Sequence, residues 1–462
     1  MPPQTTTGPP RTTPAFVWGY NNRGGLGLRH TARIRSPAPV GLPEGTVDVQ
    51  GGVNFTVALT SAGGLYAWGG NQYGQLGDGT TAMRWEPAAV KLPDGTRVTA
   101  IAVGYDHVIA RTGAGTVLAW GRNHRGQLGN NSTEDQHQPV VVHQGDVVSV
   151  GAGNGISAAI TADGGLLMWG RNSFGQLGLS VPGTAPATGL SQVVPAQAQL
   201  PRGAQAVAVD AGQRHAAVVT KDGRLLLLGL DAQGRPQNGA VPLKSAWGRP
   251  LQVYAGEDFT LVLTSRRRLL AIGANASGQL GTGDRANRLT PAVVTLPGAE
   301  GDVTGVWAGA RSAVAVTSAH EVYTWGDASA GQAGRGAAAP GKLDTYPTPQ
   351  KVTALADARI VAASGGAYHV VLTAEHGPAT ALRVTPYRAA AVPGEPVTYA
   401  VHAVDAFGTD LGPAPEAILS VADGETTGST VRAHTPGIHH VTARAGRLVG
   451  TALLNVTNGH QA

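Results

Sequence analysis

WGGNQYGQLG at residues 68–77 returns as WGRNHRGQLG at 120–129 and as WGRNSFGQLG at 169–178. A weaker copy, WGYNNRGGLG, begins at Trp18, and diverged copies begin at Leu228, Ile272 and Trp325. The seven starting points lie about fifty residues apart, too regular for chance and too variable for a fibre, so loops must absorb the difference. Ahead of each copy runs an apolar stretch ending in Thr: FTVALT (55–60), HVIART (107–112), ISAAIT, HAAVVT, FTLVLT, SAVAVT and YHVVLT (368–373). β-Branched and small apolar residues bounded by turns such as TADGG and TKDGR predict strands buried between neighbouring sheets. Adding a stretch of the VTAIAVG type (98–104) before this element and one of the PAAVKL type (87–92) after the GQLG segment gives four strands per repeat. They are labelled A to D, in the order VTAIAVG, HVIART, TVLAWG, PxxV.

Four short antiparallel strands repeated seven times predict a seven-bladed β-propeller, each blade covering its apolar faces with its two neighbours. The chain starts at strand C (16–19) and its last repeat stops after strand B, at Thr373, so the two ends complement each other in one shared blade. The repeated glycines suit turns with positive φ or close backbone approach, and the tryptophans fill the space between blades.

With WGxNxxGQLG, the GxxH turns at Gly104 to His107 and Gly212 to His215, and this repeat length, residues 15–377 resemble the regulator of chromosome condensation repeat family. The resemblance implies a seven-bladed propeller. It does not imply one function, since members include a nucleotide exchange factor for a nuclear GTPase, plant ultraviolet photoreceptors and a secreted bacterial β-lactamase inhibitory protein. Three departures stand out: Leu228 and Ile272 replace the Trp, and Ala328 replaces the Asn. Five of the eight tryptophans occupy the structural WG position, so the close tryptophan cluster of the photoreceptors is not evident.

From residue 378 onward, VTYAVHAVDAFGTDLG, GIHHVTARAG and VGTALLNVT alternate with period two between turns, which predicts a small β-sandwich resembling bacterial immunoglobulin-like domains. The first fourteen residues, MPPQTTTGPPRTTP, hold neither a basic nor an apolar signal-peptide region and read as a Pro/Thr spacer of the kind that follows a removed export signal.

Composition narrows the function classes. With 67 Gly and 30 Pro but 42% hydrophobic residues, the 462-residue chain is built for strands and turns rather than disorder. The net charge of +5 is modest, only five residues are Lys, and no basic stripe marks a dedicated nucleic-acid binder. There is no cysteine, hence neither a disulfide nor a thiolate metal site, and no apolar run approaches the ~20 residues of a membrane span. P-loop, HExxH, GxSxG and EF-hand patterns are absent, so catalysis lacks a candidate, and no cofactor or metal is expected. His107 and His215 share a repeat position with Phe55, Ile156, Phe259, Ser312 and Tyr368, which predicts packing or turn hydrogen bonding. His434, His439 and His440 read as a solvated strand face rather than a metal site.

A secreted bacterial protein that binds another protein (inhibitor, adhesin or particle subunit) is therefore the favoured reading, with the tail as spacer or second module. A glycan-binding propeller is the variant; an exchange factor, an enzyme and a cytoplasmic setting are the alternatives. The A–B and C–D loops must share a face because successive strands run in opposite directions. On it the A–B loops offer Tyr105, Asp106, Arg214, Glu257, Asp258 and Arg311 around the axis. The C–D loops offer a rim of Arg29, His30, Arg84, Trp85, Glu134, His137 and the segment 179–195, Trp85 being the strongest candidate because it lies outside the WG position.

Overall fold

A computed structural model describes residues 12–180, 188–189, 191–336, 344–375, 377–405 and 410–458. The chain divides into two compact units, Ala15–Ala374 and a second that takes in Glu375–Ala462. The first is a ring of seven four-stranded antiparallel sheets. Blades 1 to 6 occupy residues 46–89, 98–143, 147–197, 206–241, 250–293 and 303–351, each in strand order A to D. Blade 7 joins the chain's two ends: Ile360–Gly365 and His369–Ala374 supply A and B, Thr12–Gly19 supplies C and Ile34–Pro43 supplies D. Phe16 pairs with Leu372 and Gly19 with His369, the closure expected from the sequence. The closing strand starts at Thr12, earlier than expected, while the rest of the Pro/Thr stretch lies outside the described residues.

Strands B and C are buried along nearly their whole length, as strands sandwiched between two sheets must be. Strand D is the outer edge. It begins earlier than expected, at Arg84 rather than Pro87 in blade 1. It also carries mid-strand prolines such as Pro139 and Pro291, tolerated at an edge where the missing N–H would have faced solvent.

The repeat motif is a contact between neighbouring blades. Trp120, Trp169 and Trp325 are fully buried, and each indole Nε1 donates to the carbonyl of the GQLG glutamine one blade earlier: Gln75 (3.0 Å), Gln127 (2.9 Å) and Gln279 (2.9 Å). Trp18 does the same to Gln332 across the closure (2.8 Å). The final glycine of GQLG lies directly under the indole; a Cβ on Gly129 would sit 2.7 Å from Trp169 Nε1. The motif asparagine pins the C–D loop: Asn123 Oδ1 accepts from the Leu128 amide while Nδ2 donates to the Ser132 and Glu134 carbonyls, and Asn71 and Asn275 repeat the pattern.

The histidine position needs a correction. The seventh occupant is His369, not Tyr368, because strand B of blade 7 is His369–Ala374 and its Thr373 falls one place short of the other terminal threonines. Three histidines therefore share the position, and each ring Nε2 meets a hydroxyl on the next blade: His107 with Ser157 (2.9 Å), His215 with Thr260 (2.7 Å), His369 with Thr56 (3.0 Å). Ser157 and Thr56 donate onward to the Gln127 and Gly25 carbonyls, so His107 and His369 must be the donors, protonated at Nε2. Where the position holds Phe55, Ile156, Phe259 or Ser312, the matching residue of the next blade is Val108, Ala216, Ala313 or Val370. Each imidazole thus faces a hydroxyl, and no hydroxyl of the next blade stands here without an imidazole, as burying either alone would leave an unpaired polar group; Ser312, opposite Val370, is such an unpaired hydroxyl. Burial pushes all three rings down to a pKa of about 4.

The second unit is also all β. A sheet of Ala381–Thr385, Ala400–Val404 and Asp410–Pro413, a sheet in which Arg388–Ala391 runs parallel to Leu448–Val456 beside Gly437–Ala445 and Ile418–Val421, and a third of Val397–Thr398, Thr430–Ala433 and Gly424–Thr427 enclose one core of Leu382, Val384, Tyr399, Val431, Val441 and Leu454. His439 is buried facing the Thr435 and Ala422 carbonyls while His434 is exposed near Glu425, and among the described residues no three metal-ligating side chains converge.

Candidate functional site

The A–B loops meet around the axis, where backbone groups join them into a closed circle. Val53 N–H donates to Tyr105 O, Tyr105 N–H to Gly153 O, Asn154 N–H to Gly212 O and Gln213 N–H to Glu257 O. Glu257 N–H donates to Ala310 O, Ala310 N–H to Ala367 O and Ala367 N–H to Gly52 O, one bond for each pair of adjacent blades. The glycine that opens each turn is required by space: a Cβ on Gly104 would come within 2.2 Å of the His107 ring, and one on Gly256 within 1.9 Å of Phe259. Behind this circle lies an axial cavity of about 450 Å³ lined by the A strands. Two of the polar side chains that line it bridge neighbouring blades. Gln50 bridges to Ile101 O and Val103 N, and the Asp210 carboxylate accepts from the Ala255 and Ala211 amides, burial raising its pKa to about 7. These groups stitch adjacent A strands together.

On the loop face, six of the eight expected residues cluster near the axis and two lie at the rim. Glu257 and Asp258 of blade 5 are held from both sides: Arg311 of blade 6 donates through Nε to Glu257 Oε2 (2.9 Å), and Arg214 of blade 4 to Asp258 Oδ1 (2.6 Å). These bonds and charges hold both guanidinium pKa values above the ordinary arginine value. Tyr105 sits beside the same group, its hydroxyl buried with no hydrogen-bond partner; burial first, then the Glu257 charge, push the phenol well above its usual range. Asp106 pairs with Arg122 at 3.3 Å, and burial nevertheless raises its carboxyl.

Sequence reading passed over the residues inside the repeat motif that face this surface. Arg122 and Arg171, at the x of WGxN, stack on Tyr73 (4.4 Å) and Phe174 (4.9 Å), which stand two places after the motif asparagines. Arg171 has a buried Nε without a partner, and burial together with the charges of Arg125 and Arg214 lowers its pKa. The usable signal was the chemistry of the variable positions, where Tyr20, Arg122, Arg171 and Asp327 share one column.

At the rim, Arg84 and Trp85 are the first residues of strand D rather than loop residues. Arg84 is committed to Asp78 through Nε and Nη2 (3.0 and 2.8 Å) and so serves the blade. Trp85 occupies a repeat position filled elsewhere by His137 and Pro347, each packed against a glycine of the preceding blade; in its case that residue is Gly24. The position thus has a packing role that the sequence did not disclose, but the indole is oversized for it and stays 49% exposed. With Met83, Arg29 and Pro87 it lines a shallow depression of about 610 Å³, edged by the Arg29–Glu86 ion pair. Of the expected segment 179–195, residues 181–187 and 190 lie outside the described residues.

Comparison with known proteins follows the repeats. The family pattern described as regulator of chromosome condensation (RCC1) repeat matches residues 15–59, 62–111, 114–160, 163–219, 268–316 and 319–373. The ultraviolet-B receptor UVR8 of Arabidopsis thaliana is 32% identical over 297 residues, 61% of this chain and 64% of the receptor. The secretion-regulating guanine nucleotide exchange factor of Bos taurus is 33% identical over 175 residues, 35% of this chain and 37% of that protein. The chain therefore spans less than two thirds of the length of either relative. Among solved structures, Prp20p from Saccharomyces cerevisiae superposes with a TM-score of 0.66 at 21% identity, covering 79% of this chain and 92% of that one.

Proposed function

The chain belongs to the regulator of chromosome condensation repeat family, and from that premise we propose that it is a non-enzymatic binding protein whose A–B/C–D loop face recognises another protein. The observation that carries the reading is Trp85: a half-exposed indole that lines a depression with the exposed Met83 and an arginine. Aromatic and arginine side chains at such positions are the usual anchors of protein recognition. The clasped Glu257–Asp258 pair at the axis supplies a second, charged anchor region held in fixed geometry by Arg214 and Arg311.

The proposal extends to an extracellular setting with the second unit as an immunoglobulin-like spacer. The cysteine-free composition and the alternating strands after residue 378 support this. Retention of the immobilised chain's partner from culture supernatant, compared across variants, is the test. Trp85→Ala and Arg311→Ala should each weaken retention without lowering the melting temperature. Unchanged retention by both would remove the loop face from the proposal, and a partner found only in the cytoplasmic fraction would remove the extracellular part.

A further inference from the structure

The opposite face of the propeller carries the B–C turns and the D–A connectors, and its chemistry is uneven. At the junction of blades 4 and 5, the two B–C turns and the connector 242–249 enclose a groove of about 600 Å³. Its walls carry Arg224, Lys244, Arg249 and Arg266 against the single carboxylate of Asp222, and Arg267 and Arg268 stand exposed beside it. We propose that this groove is a second docking site, independent of the loop face, for an extended peptide segment that mixes carboxylates with apolar side chains.

Several features shape it for that purpose. Ser-Arg-Arg-Arg at 265–268 replaces the glycine-containing turns of blades 1 to 4, while blade 6, also without glycine, places His320 there at φ +64°. Arg267 adopts φ +56° where Gly63, Gly115, Gly164 and Gly223 stand in blades 1 to 4. A blade that keeps arginine at a position suited to glycine places charge where the backbone does not favour it. Arg266 is braced by its bond to the Ala246 carbonyl (3.0 Å), Lys244 lies over the Trp247 ring (5.1 Å), and Arg224 pairs with Asp222 while its buried Nε has no hydrogen-bond partner. One carboxylate against four cations leaves the groove with a net positive charge held in fixed positions.

The apolar half of the recognition lies alongside. Val241, Pro242, Leu243 and Pro250 form the groove's remaining wall. Next to Pro250, strand A bulges by one residue, and the same bulge in every blade turns one side chain out of the sheet's alternation. Leu251 and Val207 are those side chains in blades 5 and 4, 46% and 49% exposed, so an apolar path runs from the groove toward the axis.

A nucleic acid or an anionic membrane fits less well. Either presents negative charge over a length that crosses several junctions, and carboxylates interrupt the basic surface on both sides: Asp163 in the blade 3 turn, beyond Arg202 and Lys221, on one side, and Glu300 and Asp302 on the other. A short peptide stays within the one basic junction.

The full chain titrated into a fluorescein-labelled, capped hexapeptide of alternating glutamate and leucine, read by anisotropy, tests the assignment. Saturable binding is expected, lost at least tenfold in the Arg249→Glu/Arg266→Glu double variant and unchanged in Arg29→Glu on the loop face. Should charge reversal impair folding, Arg249→Gln/Arg266→Gln keeps the test open and should weaken binding about threefold. Replacing the glutamates by serine, or the leucines by serine, should each reduce affinity, since both halves are used. Equal affinity for the double variant at a native melting temperature overturns the proposal. So does tighter binding of a twenty-base-pair DNA duplex or of phosphatidylserine vesicles than of the peptide.

Discussion

The junction between blades 2 and 3 and the junction between blades 4 and 5 solve the same packing problem in different ways. At the first, Trp169 fills the interface and donates to Gln127, and His107 meets Ser157, which donates to the same carbonyl. At the second, blade 4 has no GQLG segment: residues 231–235 form a tight hairpin in which Asp231 accepts from the amides of Gln233 and Arg235, and strands C and D pair without a register shift. The tryptophan that would have used that segment is absent as well, Ile272 standing in its place among Val219, Leu227 and Val262. The repeat motif is therefore half of a contact on each of two blades, and at this junction both halves are lost, whereas between blades 3 and 4 the GQLG segment remains and only the tryptophan is replaced, by Leu228. Of the two side-chain contacts named for the first junction, the second persists here, as His215–Thr260. The basic groove lies at this same junction, on the opposite face.

The comparison assumes that each junction is held within a closed ring, and opening the ring tests this most severely. Deleting residues 1–30 removes strand C of blade 7 and leaves two unpaired edges, so cooperative melting of the whole propeller should be lost. A truncated chain that melted like the parent would mean that the junctions stand alone. Next in size, Trp169→Leu converts a complete junction to a half-converted one; the indole's volume and its bond to Gln127 go together, at a cost of about 3–4 kcal/mol by denaturant unfolding. Leu228→Trp should be within about 1 kcal/mol of neutral, because Gly178 still leaves the space that the motif provides. Equal and large effects of both would show that the blades have repacked around their present residues.

How much of this was legible in the sequence follows from what a repeat can encode. The blade count, the strand order and the shared blade 7 were readable because seven copies of a motif report the same environment seven times. The frame slip at Tyr368 arose where Gly365 and Gly366 permit two alignments, and the terminal Thr373 pointed to the wrong one. The hydrogen-bonded circle of A–B loops was invisible, since it uses backbone groups that any residue carries. Of the candidate site, the Arg214–Asp258 and Arg311–Glu257 pairs join residues named individually, but their pairing depends on which blades are neighbours at the axis. Arg84 was misread because its partner, Asp78, lies in the loop it was thought to project from.

The His–hydroxyl bonds offer a pH test of a side-chain contact that both junctions share. A neutral imidazole held at a pKa of about 4, against an ordinary value near 6.5, contributes stability that is complete above about 6.5 and is lost as the pH falls toward 4. Asp210, raised to about 7, works in the opposite sense, so the informative quantity is a difference between variants. His215→Phe with Thr260→Ala installs the pairing already found between Phe259 and Ala313, and should lessen the loss of stability between pH 6.5 and 4 by about 2–3 kcal/mol. His215→Phe alone should be less stable than the double variant at pH 7, because it strands the Thr260 hydroxyl. An unchanged acid transition in the double variant would mean that the ring is not held neutral by its burial.

The smallest effect expected separates the groove's charge from its backbone. Arg267 takes φ +56°, a left-handed conformation that costs a side chain bearing Cβ about 1 kcal/mol, and the equivalent turns of blades 1 to 4 use glycine there. Arg267→Gly relieves the strain but gives back part of the gain as unfolded-chain entropy, so the melting temperature should rise by no more than a few degrees, equivalent to about 0.5 kcal/mol. Binding of the acidic hexapeptide should fall only slightly, since Arg249 and Arg266, rather than Arg267, line the groove itself. A variant that is more stable and slightly weaker in binding would show that arginine at this position is retained against the preference of the turn. A variant that is less stable would show instead that Arg267 makes a contact that holds the blade 5 turn, and the comparison between the junctions would then have to count that contact among those replacing the missing tryptophan.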